Sequence, residues 1–143
     1  MVDVGLKAVT HRVATVTGQV DVSKQCVESL TPAATKEIIA VARIAGIQAA
    51  KQTSILVPLC HQIPLAGIDL AIDFSACEQR FHLRATARTQ SATGVEMEAM
   101  VAANIAAITI YDMIKAIDPS AVLSSFQLIS KTGGKGGAWL RNP

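Results

Sequence analysis

Residues 95–116 constrain the fold of this chain more than any other segment. The segment is rich in alanine and contains neither glycine nor proline, so it predicts a helix of about six turns at 3.6 residues per turn. Apolar residues lie nearly all around that helix, which is typical of a helix covered on more than one side. Because the chain has only 143 residues, we expect part of this cover to come from another subunit and predict an oligomer.

The composition limits the class of protein. Half of the residues are apolar, and the length fits one domain spanning residues 1–143. Thirteen Lys and Arg against eleven Asp and Glu, with a sequence pI of about 8.5, give less positive charge than is typical of nucleic-acid binders. The three cysteines form no C-x-x-C pair, which argues against a disulfide framework or a zinc ribbon. Without a signal pattern or an uninterrupted apolar span, we expect a cytoplasmic protein that binds neither nucleic acid nor membrane.

Alternation and turn signals predict the remaining elements. The predicted strands cover residues 9–20, with a turn near Gly18, then a hairpin of residues 68–74 and 81–88, and finally residues 122–129. A second helix begins at Thr31-Pro32, an N-cap followed by proline, and runs to about Gln52. Residues 58–61 are predicted to form a loop and residues 130–137 a flexible cationic tail. This order predicts a two-layer α/β sandwich with helices on one face of a mixed sheet.

His61 follows Cys60 in the predicted loop, where backbone geometry can direct side chains at a ligand. His61 is a candidate acid, base or phosphate contact, and the alternative is a histidine hydrogen-bonded within a packed turn. A cysteine nucleophile or a metal pair is less favoured, because no second histidine or acid lies at ligand spacing.

Glu96 and Glu98 lie in the first turn of the long helix. The helix macrodipole favours carboxylates at that end, so their position has a structural explanation as well as a functional one. That explanation suits Glu98 poorly, because the adjacent Met97, Ala99 and Met100 indicate that this end of the helix is packed.

Asp112 and Lys115 are neighbours on one face of the same helix. They form either a surface ion pair or, if Tyr111 and Ile114 indicate burial, an acid and a base near neutral pH. Glu98 lies about 21 Å from Asp112 along the axis, so one small substrate cannot easily touch both ends of a single helix. Either the two ends serve different sites, or antiparallel helices of two subunits bring them together.

Two further cationic regions are candidates for binding phosphate. In the glycine-rich tail, Lys131 and Lys135 resemble a loose phosphate cradle without matching a Walker A loop, and the alternative is a mobile C-terminus. Arg80, His82, Arg84 and Arg88 share one face of a strand. We expect that face to be solvated, since it lacks the stacking aromatic residues of an RNA-binding surface.

Six stretches of the sequence occur in the order of a known family. They are Met1-Val2-Asp3-Val4, Ala42-Arg43-Ile44-Ala45-Gly46-Ile47-Gln48-Ala49-Ala50-Lys51, Pro58-Leu59-Cys60-His61, Thr93-Gly94-Val95-Glu96-Met97-Glu98-Ala99, Thr109-Ile110-Tyr111-Asp112-Met113 with Lys115-Ala116, and Ser130-Lys131-Thr132-Gly133-Gly134-Lys135. Together they span nearly the whole chain. On these residues the sequence resembles the molybdenum cofactor biosynthesis protein C family.

The resemblance implies a ferredoxin-like α+β subunit, with helices on one face of a mainly antiparallel sheet. It also implies a hexamer, built as a trimer of dimers with active sites at the dimer interfaces. The implied reaction converts 3′,8-cyclo-7,8-dihydro-GTP, a cyclised GTP derivative, to cyclic pyranopterin monophosphate and pyrophosphate. The motifs carry over Asp112 and Lys115 as catalytic residues, and as substrate-binding residues His61, Glu96, Met97, Glu98, Arg43, Lys51, Lys131 and Lys135. No cofactor is expected to be required, and Mg²⁺ would assist only through the phosphates.

The sequence departs from that family at one place. Members usually carry Lys-Gly-Asp shortly before the Ala-Arg-Ile-Ala-Gly run, whereas here the stretch reads Thr35-Lys36-Glu37. Without a gap Thr35 occupies the lysine position, and Lys36 lies one residue further on, about 100° around a helix. Lys36 is therefore a third candidate catalytic residue. The alternative is a catalytically impaired homologue that binds nucleotide or serves as a scaffold.

Overall fold

The computed structural model describes residues 1–142 and contains five strands and four helices in that range. In chain order they are β1 (Thr10–Asp21), α1 (Lys24–Ser29), α2 (Pro32–Ala50), α3 (Thr53–Leu56), β2 (Leu65–Ser75), β3 (Arg80–Ser91), α4 (Glu96–Ile114), β4 (Val122–Thr132) and β5 (Trp139–Leu140). Thr31 caps α2 as predicted, because its side chain accepts a hydrogen bond from the Ala34 backbone N–H. The α4 helix lies where the alanine-rich segment predicts it.

The strands form one sheet in the order β2-β3-β1-β4-β5, and every paired neighbour is antiparallel. Since β1 and β2 both pair antiparallel with β3, they are parallel to each other with β3 between them. The same holds for β3 and β4 on either side of β1. Helices α2 and α4 make these two crossovers, which gives the ferredoxin-like α+β arrangement. The expectation of a mixed sheet was wrong, because the parallel strands never become hydrogen-bonded neighbours.

One face of the sheet forms the core with α2 and α4. Val16, Val20, Phe81 and Leu83 lie on alternate positions of β1 and β3 and are almost fully buried. Their outward-facing neighbours are polar, as the alternation predicted. Both central strands therefore have one apolar face against the helices and one polar face away from them.

The two long helices run antiparallel and touch closely at Gly46. A Cβ added there would lie 2.5 Å from Leu70 Cδ2 and 2.6 Å from the Ala102 carbonyl oxygen. Only glycine allows this approach of α2 to α4 and to β2. Because the helices are antiparallel, the C-terminal end of α2 and the N-terminal end of α4 lie at the same end of the subunit.

Asp118 anchors the chain just after α4. It is only 2% exposed, and its carboxylate accepts hydrogen bonds from the Ser23 N–H at 2.6 Å, the Ser120 hydroxyl at 2.7 Å and the Ser120 N–H at 3.2 Å. Led by the bond from the Ser120 hydroxyl, these bonds lower the pKa of Asp118. The carboxylate thereby ties the end of α4 to the start of α1.

The helical face that points away from the sheet keeps apolar side chains exposed. Ile44 on α2 is 64% exposed and Ile108 on α4 is 51% exposed. Among residues 1–142, α4 is the one helix whose length and composition would allow it to cross a membrane, but half of its most apolar window is buried inside the fold. Its hydrophobicity is that of a core helix with one uncovered stripe.

Two local predictions were wrong, and two short helices were missed. No turn interrupts the first strand at Gly18; instead the pairing of β1 with β4 shifts register between Thr17 and Gln19. The last long strand continues through Thr132, and β5 then pairs with it, so the predicted tail begins within the sheet. The short helices α1 and α3 were not predicted, because segments of six and four residues carry little periodicity.

Candidate functional site

The turn between β3 and α4 separates two cavities that share Gly94 and Glu96. The larger has a volume of about 470 Å³ and is lined by Val2, Val4, Lys7, Leu59, Cys60, His61, Thr93, Gly94, Glu96, Met97 and Glu98. We call it the acidic cavity, after its two glutamates. The smaller, the cationic cavity, has a volume of about 130 Å³ and is lined by Arg12, Val13, Gly94, Val95, Glu96, Lys131, Thr132, Gly133, Lys135, Gly136 and Gly137.

The acidic cavity brings together residues that are far apart in the sequence. His61 lies in the loop after α3, as predicted, and Met97 and Glu98 project from the first turn of α4. His61 is half-buried, and Met97 is 39% exposed. Because α2 ends beside the start of α4, the chain that leaves α2 passes the glutamates. An imidazole and two carboxyl groups therefore border one cavity.

Glu98 is the buried acid of this cavity, with only 4% of its surface exposed. Burial raises the pKa of its carboxyl group, and the nearby charge of Glu96 raises it further. A hydrogen bond from its own backbone N–H lowers this pKa, with an effect smaller than that of burial but larger than that of Glu96. Glu98 therefore keeps its proton to higher pH than an ordinary glutamate, which suits a group that transfers protons.

Cys60 lies in the same cavity but lacks the properties of a nucleophile. Burial raises the pKa of its thiol, and the negative charge of Glu98 adds to the effect. The thiolate, which is the reactive form, is therefore disfavoured. Cys60 therefore contributes to the wall of the cavity, and a cysteine nucleophile stays disfavoured.

Three cationic side chains line the cationic cavity: Arg12, Lys131 and Lys135. Lys131 projects from the end of β4, and its Nζ lies 2.9 Å from Oε1 of Glu96. The glycine-rich segment closes the other side. Cationic side chains beside backbone N–H groups form an arrangement that suits an anion such as phosphate.

Sequence reasoning missed Arg12. Its Nε donates to the Ser91 carbonyl at 2.9 Å and its Nη2 to the Ala92 carbonyl at 3.0 Å. These bonds hold the turn that leads from β3 into α4. No local signal marks Arg12, because its position depends on the pairing of β1 with β3, which sets Arg12 opposite Thr89. Lys7, in the acidic cavity, was also missed.

The glycine-rich segment crosses directly over Arg12. Gly133 and Gly134 have φ values of +97° and +71°, and a Cβ at Gly134 would collide with the Arg12 guanidinium group. The Gly134 N–H donates to the Thr10 hydroxyl at 3.2 Å, which fixes the segment to β1. Glycine is therefore required here both for backbone conformation and for space.

Asp112 and Lys115 lie at the opposite end of α4. Their ion pair measures 2.6 Å, but 68% and 57% of the two side chains are exposed. The expected burial was wrong for a single subunit, because both side chains lie on the helical face that points away from the core. The hydrogen bond to Asp112 raises the pKa of Lys115, so the pair favours a protonated ammonium group. Neither residue reaches the two cavities.

Lys36, Arg43 and Lys51 are also absent from the walls of these two cavities. Lys36 is exposed and borders a separate cavity of about 390 Å³ near the start of α2. The adjacent Thr35 hydroxyl donates to the Thr31 carbonyl within the helix at 3.0 Å. Arg43 Nε donates to the Leu70 carbonyl at 3.0 Å, which fastens α2 to β2. Lys51 is exposed at the C-cap of α2.

The cationic strand face is largely neutralised within the subunit. Arg80 pairs with Asp21, His82 lies 2.6 Å from Glu78, and Arg88 pairs with Asp69. Arg84 borders an open hollow of about 370 Å³ on the polar face of the sheet. Among residues 1–142, no group of three or more His, Cys, Asp or Glu side chains is arranged to hold a metal ion.

The sequence model of the MoaC family matches residues 1–134. Cyclic pyranopterin monophosphate synthase 2 of Mycobacterium tuberculosis (strain ATCC 25618 / H37Rv) is 44% identical over 143 residues, covering 99% of this chain and 84% of the relative. Cyclic pyranopterin monophosphate synthases of Thermomicrobium roseum and Bordetella pertussis are 43% and 49% identical, over 99% and 97% of this chain and 86% and 88% of their own. The chain therefore belongs to the MoaC family.

Proposed function

We propose that this protein is a cyclic pyranopterin monophosphate synthase of molybdenum cofactor biosynthesis. It converts 3′,8-cyclo-7,8-dihydro-GTP to cyclic pyranopterin monophosphate and releases pyrophosphate, which makes it a lyase. The observation that carries the proposal is the contact between two cavities of opposite character at the start of α4. One suits a polyphosphate and the other suits proton transfer. Identities of 43–49% to relatives bearing that name support the same assignment.

The cationic cavity holds the triphosphate. Lys131 and Lys135 supply positive charge, and the glycine-rich segment allows backbone N–H groups to approach phosphate oxygens. Arg12 adds a third cation and fixes the adjacent turn. Fixed cations matter most for the last step, in which a hydroxyl of the former ribose attacks the α-phosphorus and the bond to the β-phosphate oxygen breaks. The departing pyrophosphate gathers negative charge, which these groups stabilise.

The acidic cavity holds the purine-derived rings. Opening the imidazole ring and closing the pterin both require protons to be moved, and Glu98 and His61 border the space where these rings would lie. Glu98 is the donor and acceptor favoured by burial. His61 orients the substrate or shares in proton transfer.

Asp112 and Lys115 act on the substrate of a neighbouring subunit. They lie about 21 Å along α4 from Glu98, which is too far for one small substrate to contact both ends of the same helix. In a hexamer built as a trimer of dimers, antiparallel α4 helices bring the two ends together. Exposed apolar residues support such contacts, since Ile44, Ile55 and Leu59 are 64%, 78% and 71% exposed.

The test of this assignment is turnover. Purified protein is incubated with the cyclised GTP intermediate in cytosol-like buffer, with EDTA and with Mg²⁺, and pyrophosphate is measured. Release in both conditions is expected, because no cofactor is required. The leading alternative is a nucleotide-binding scaffold. It would bind the intermediate and release no pyrophosphate.

Lys115 tests the role of the second subunit. Lys115→Ala should lower turnover about 10²- to 10⁴-fold, the usual contribution of a group that transfers a proton. Lys115→Arg should keep substrate affinity but fail in turnover, because arginine does not release its proton near neutral pH. Light scattering should show the same oligomer for both variants and the wild type. Near wild-type turnover by Lys115→Arg would leave Lys115 only an electrostatic role.

Lys36 tests the departure from the family pattern. Lys36→Ala should reduce turnover by a factor of about 10² if Lys36 replaces the usual lysine. Thr35→Lys, which restores lysine at the aligned position, provides the matched comparison. If Lys36→Ala is silent and Thr35→Lys raises turnover, the natural protein is a catalytically impaired homologue.

A further inference from the structure

We propose that Glu96 is a specificity-determining residue that competes with the anionic ligand for Lys131, an inference that rests on the proposed pyrophosphate-releasing function. Glu96 Oε1 lies 2.9 Å from Lys131 Nζ, inside a cavity whose other ionisable groups are cations. The carboxylate thus occupies a place suited to a phosphate oxygen. An incoming pyrophosphate group must displace it, and the carboxylate returns when pyrophosphate leaves.

The position of Glu96 is set by Gly94. A Cβ built on Gly94 would collide with the Glu96 carboxylate, which folds back against the glycine backbone. Gly94 does not have a positive φ and gains nothing in backbone conformation from being glycine. Its lack of a side chain instead leaves room for the carboxylate beside Lys131.

The ion pair is accessible enough to exchange. The Lys131 and Glu96 side chains are 45% and 30% exposed, so the pair is weakly held and water can enter as it opens. Because Glu96 also lines the acidic cavity, its side chain has a polar space to enter when Lys131 binds an anion. A single weakly bound phosphate oxygen competes poorly with the carboxylate, whereas a polyphosphate makes several contacts at once. The pair therefore favours polyphosphate over monoanions and assists release of the product.

The test measures binding of inorganic pyrophosphate by titration calorimetry. Glu96→Gln should bind it about two- to fivefold more tightly than the wild type, which is the factor that a partly exposed ion pair is worth. Gly94→Ala should tighten binding in the same direction, because the added methyl group moves the carboxylate without removing its charge. Glu28→Gln, which removes an exposed carboxylate paired with Lys24 on α1, is the matched control and should leave the affinity unchanged.

The decisive comparison uses Lys131→Gln. If Glu96 acts through Lys131, the double variant with Lys131→Gln and Glu96→Gln should bind pyrophosphate no more tightly than Lys131→Gln alone. Equal tightening in both backgrounds would overturn the proposal, since it would show only a general charge effect. So would weaker or unchanged binding by Glu96→Gln, or no pyrophosphate binding by any variant.

These outcomes test the competition at Lys131 and do not test the proposed function. Turnover of the cyclised GTP intermediate by the wild type decides the function. The dependence of pyrophosphate affinity on both Glu96 and Lys131 decides the competition. If the affinities are coupled but the protein shows no turnover, the competition between Glu96 and pyrophosphate is supported and the proposed function is not. If the protein shows turnover but the affinities are not coupled, only the proposed function is supported.

Discussion

Glu98 and Asp118 are buried carboxylates at opposite ends of α4, and their surroundings differ. They are 4% and 2% exposed, so burial alone does not distinguish them. Asp118 accepts three hydrogen bonds from Ser23 and Ser120, and its pKa is lowered. Glu98 borders a cavity, and burial raises its pKa. The supply of hydrogen-bond donors decides which carboxylate is structural and which is suited to proton transfer.

The two ends of α4 consequently differ in their chemical surroundings. The loop that carries His61 and the cationic cavity lie beside the start of the helix, where Glu98 has a raised pKa. After the end of the helix, the buried acid is fully engaged in holding the chain. The exposed Asp112 and Lys115 pair at that end gains a partner only if another subunit covers it. One helix thus borders two cavities at one end and carries an exposed ion pair at the other.

The largest expected effect is on catalysis by Glu98→Gln. Glutamine keeps the shape of glutamate but cannot transfer a proton, so turnover should fall about 10²- to 10⁴-fold, or about 3 to 5 kcal/mol of transition-state stabilisation. Asp118→Asn is the control at the other end and should retain nearly normal turnover where it is folded. Comparable activity in Glu98→Gln and wild type would remove Glu98 from the proton transfer steps.

Asp118→Asn should instead lower stability. Replacing one carboxylate oxygen with an NH₂ group sets a donor against the N–H and O–H donors of Ser23 and Ser120, which should cost about 1 to 3 kcal/mol. Chemical denaturation of the two variants side by side measures the loss. If Glu98→Gln is destabilised as much as Asp118→Asn, the contrast between the two ends fails.

The two carboxylates should also give opposite pH dependences. The lowered pKa of Asp118 means that its contribution is present above the unfolded pKa and lost as pH falls through the lower folded value. The raised pKa of Glu98 means that stability is favoured below the unfolded pKa and falls as pH rises through the higher folded value. Melting temperatures should be measured across pH. The loss of stability as pH falls should be smaller in Asp118→Asn than in the wild type, and the loss as pH rises should be smaller in Glu98→Gln. The opposite assignment of slopes would contradict the structure.

The smallest expected effect is on the stability of Asp112→Asn. Because its pair with Lys115 is exposed in the subunit, loss of the charge should cost less than about 1 kcal/mol. Chemical denaturation at low protein concentration is the suitable measurement. A larger loss at that concentration would mean that the pair supports the subunit itself.

The two long helices and the four long strands were predictable because each has a local signal. The alanine-rich segment specified α4, and period-two alternation specified β2 and β3 together with their buried faces. Features that depend on contacts between distant segments were not predictable. Asp118 meets a backbone group 95 residues away, and Arg12 meets the β3–α4 turn about 80 residues away. The continuation of β4 into the glycine-rich segment was missed because its glycines suggested a tail.

The candidate site was predicted in part. His61, Glu96, Glu98, Lys131 and Lys135 lie at one end of the subunit. Their sequence positions alone did not show that they converge. The burial of Asp112 and Lys115 was inferred from apolar neighbours in the sequence, but in a helix those neighbours point in other directions.

The difference between Glu98 and Asp118 is tested most directly by carboxyl-carbon NMR titration of the wild-type protein, with the two signals assigned by Glu98→Gln and Asp118→Asn. The titration midpoint of Glu98 should lie above the ordinary glutamate range and that of Asp118 below the ordinary aspartate range. A Glu98 midpoint at or below the ordinary value would contradict the assignment of this end of α4 to proton transfer.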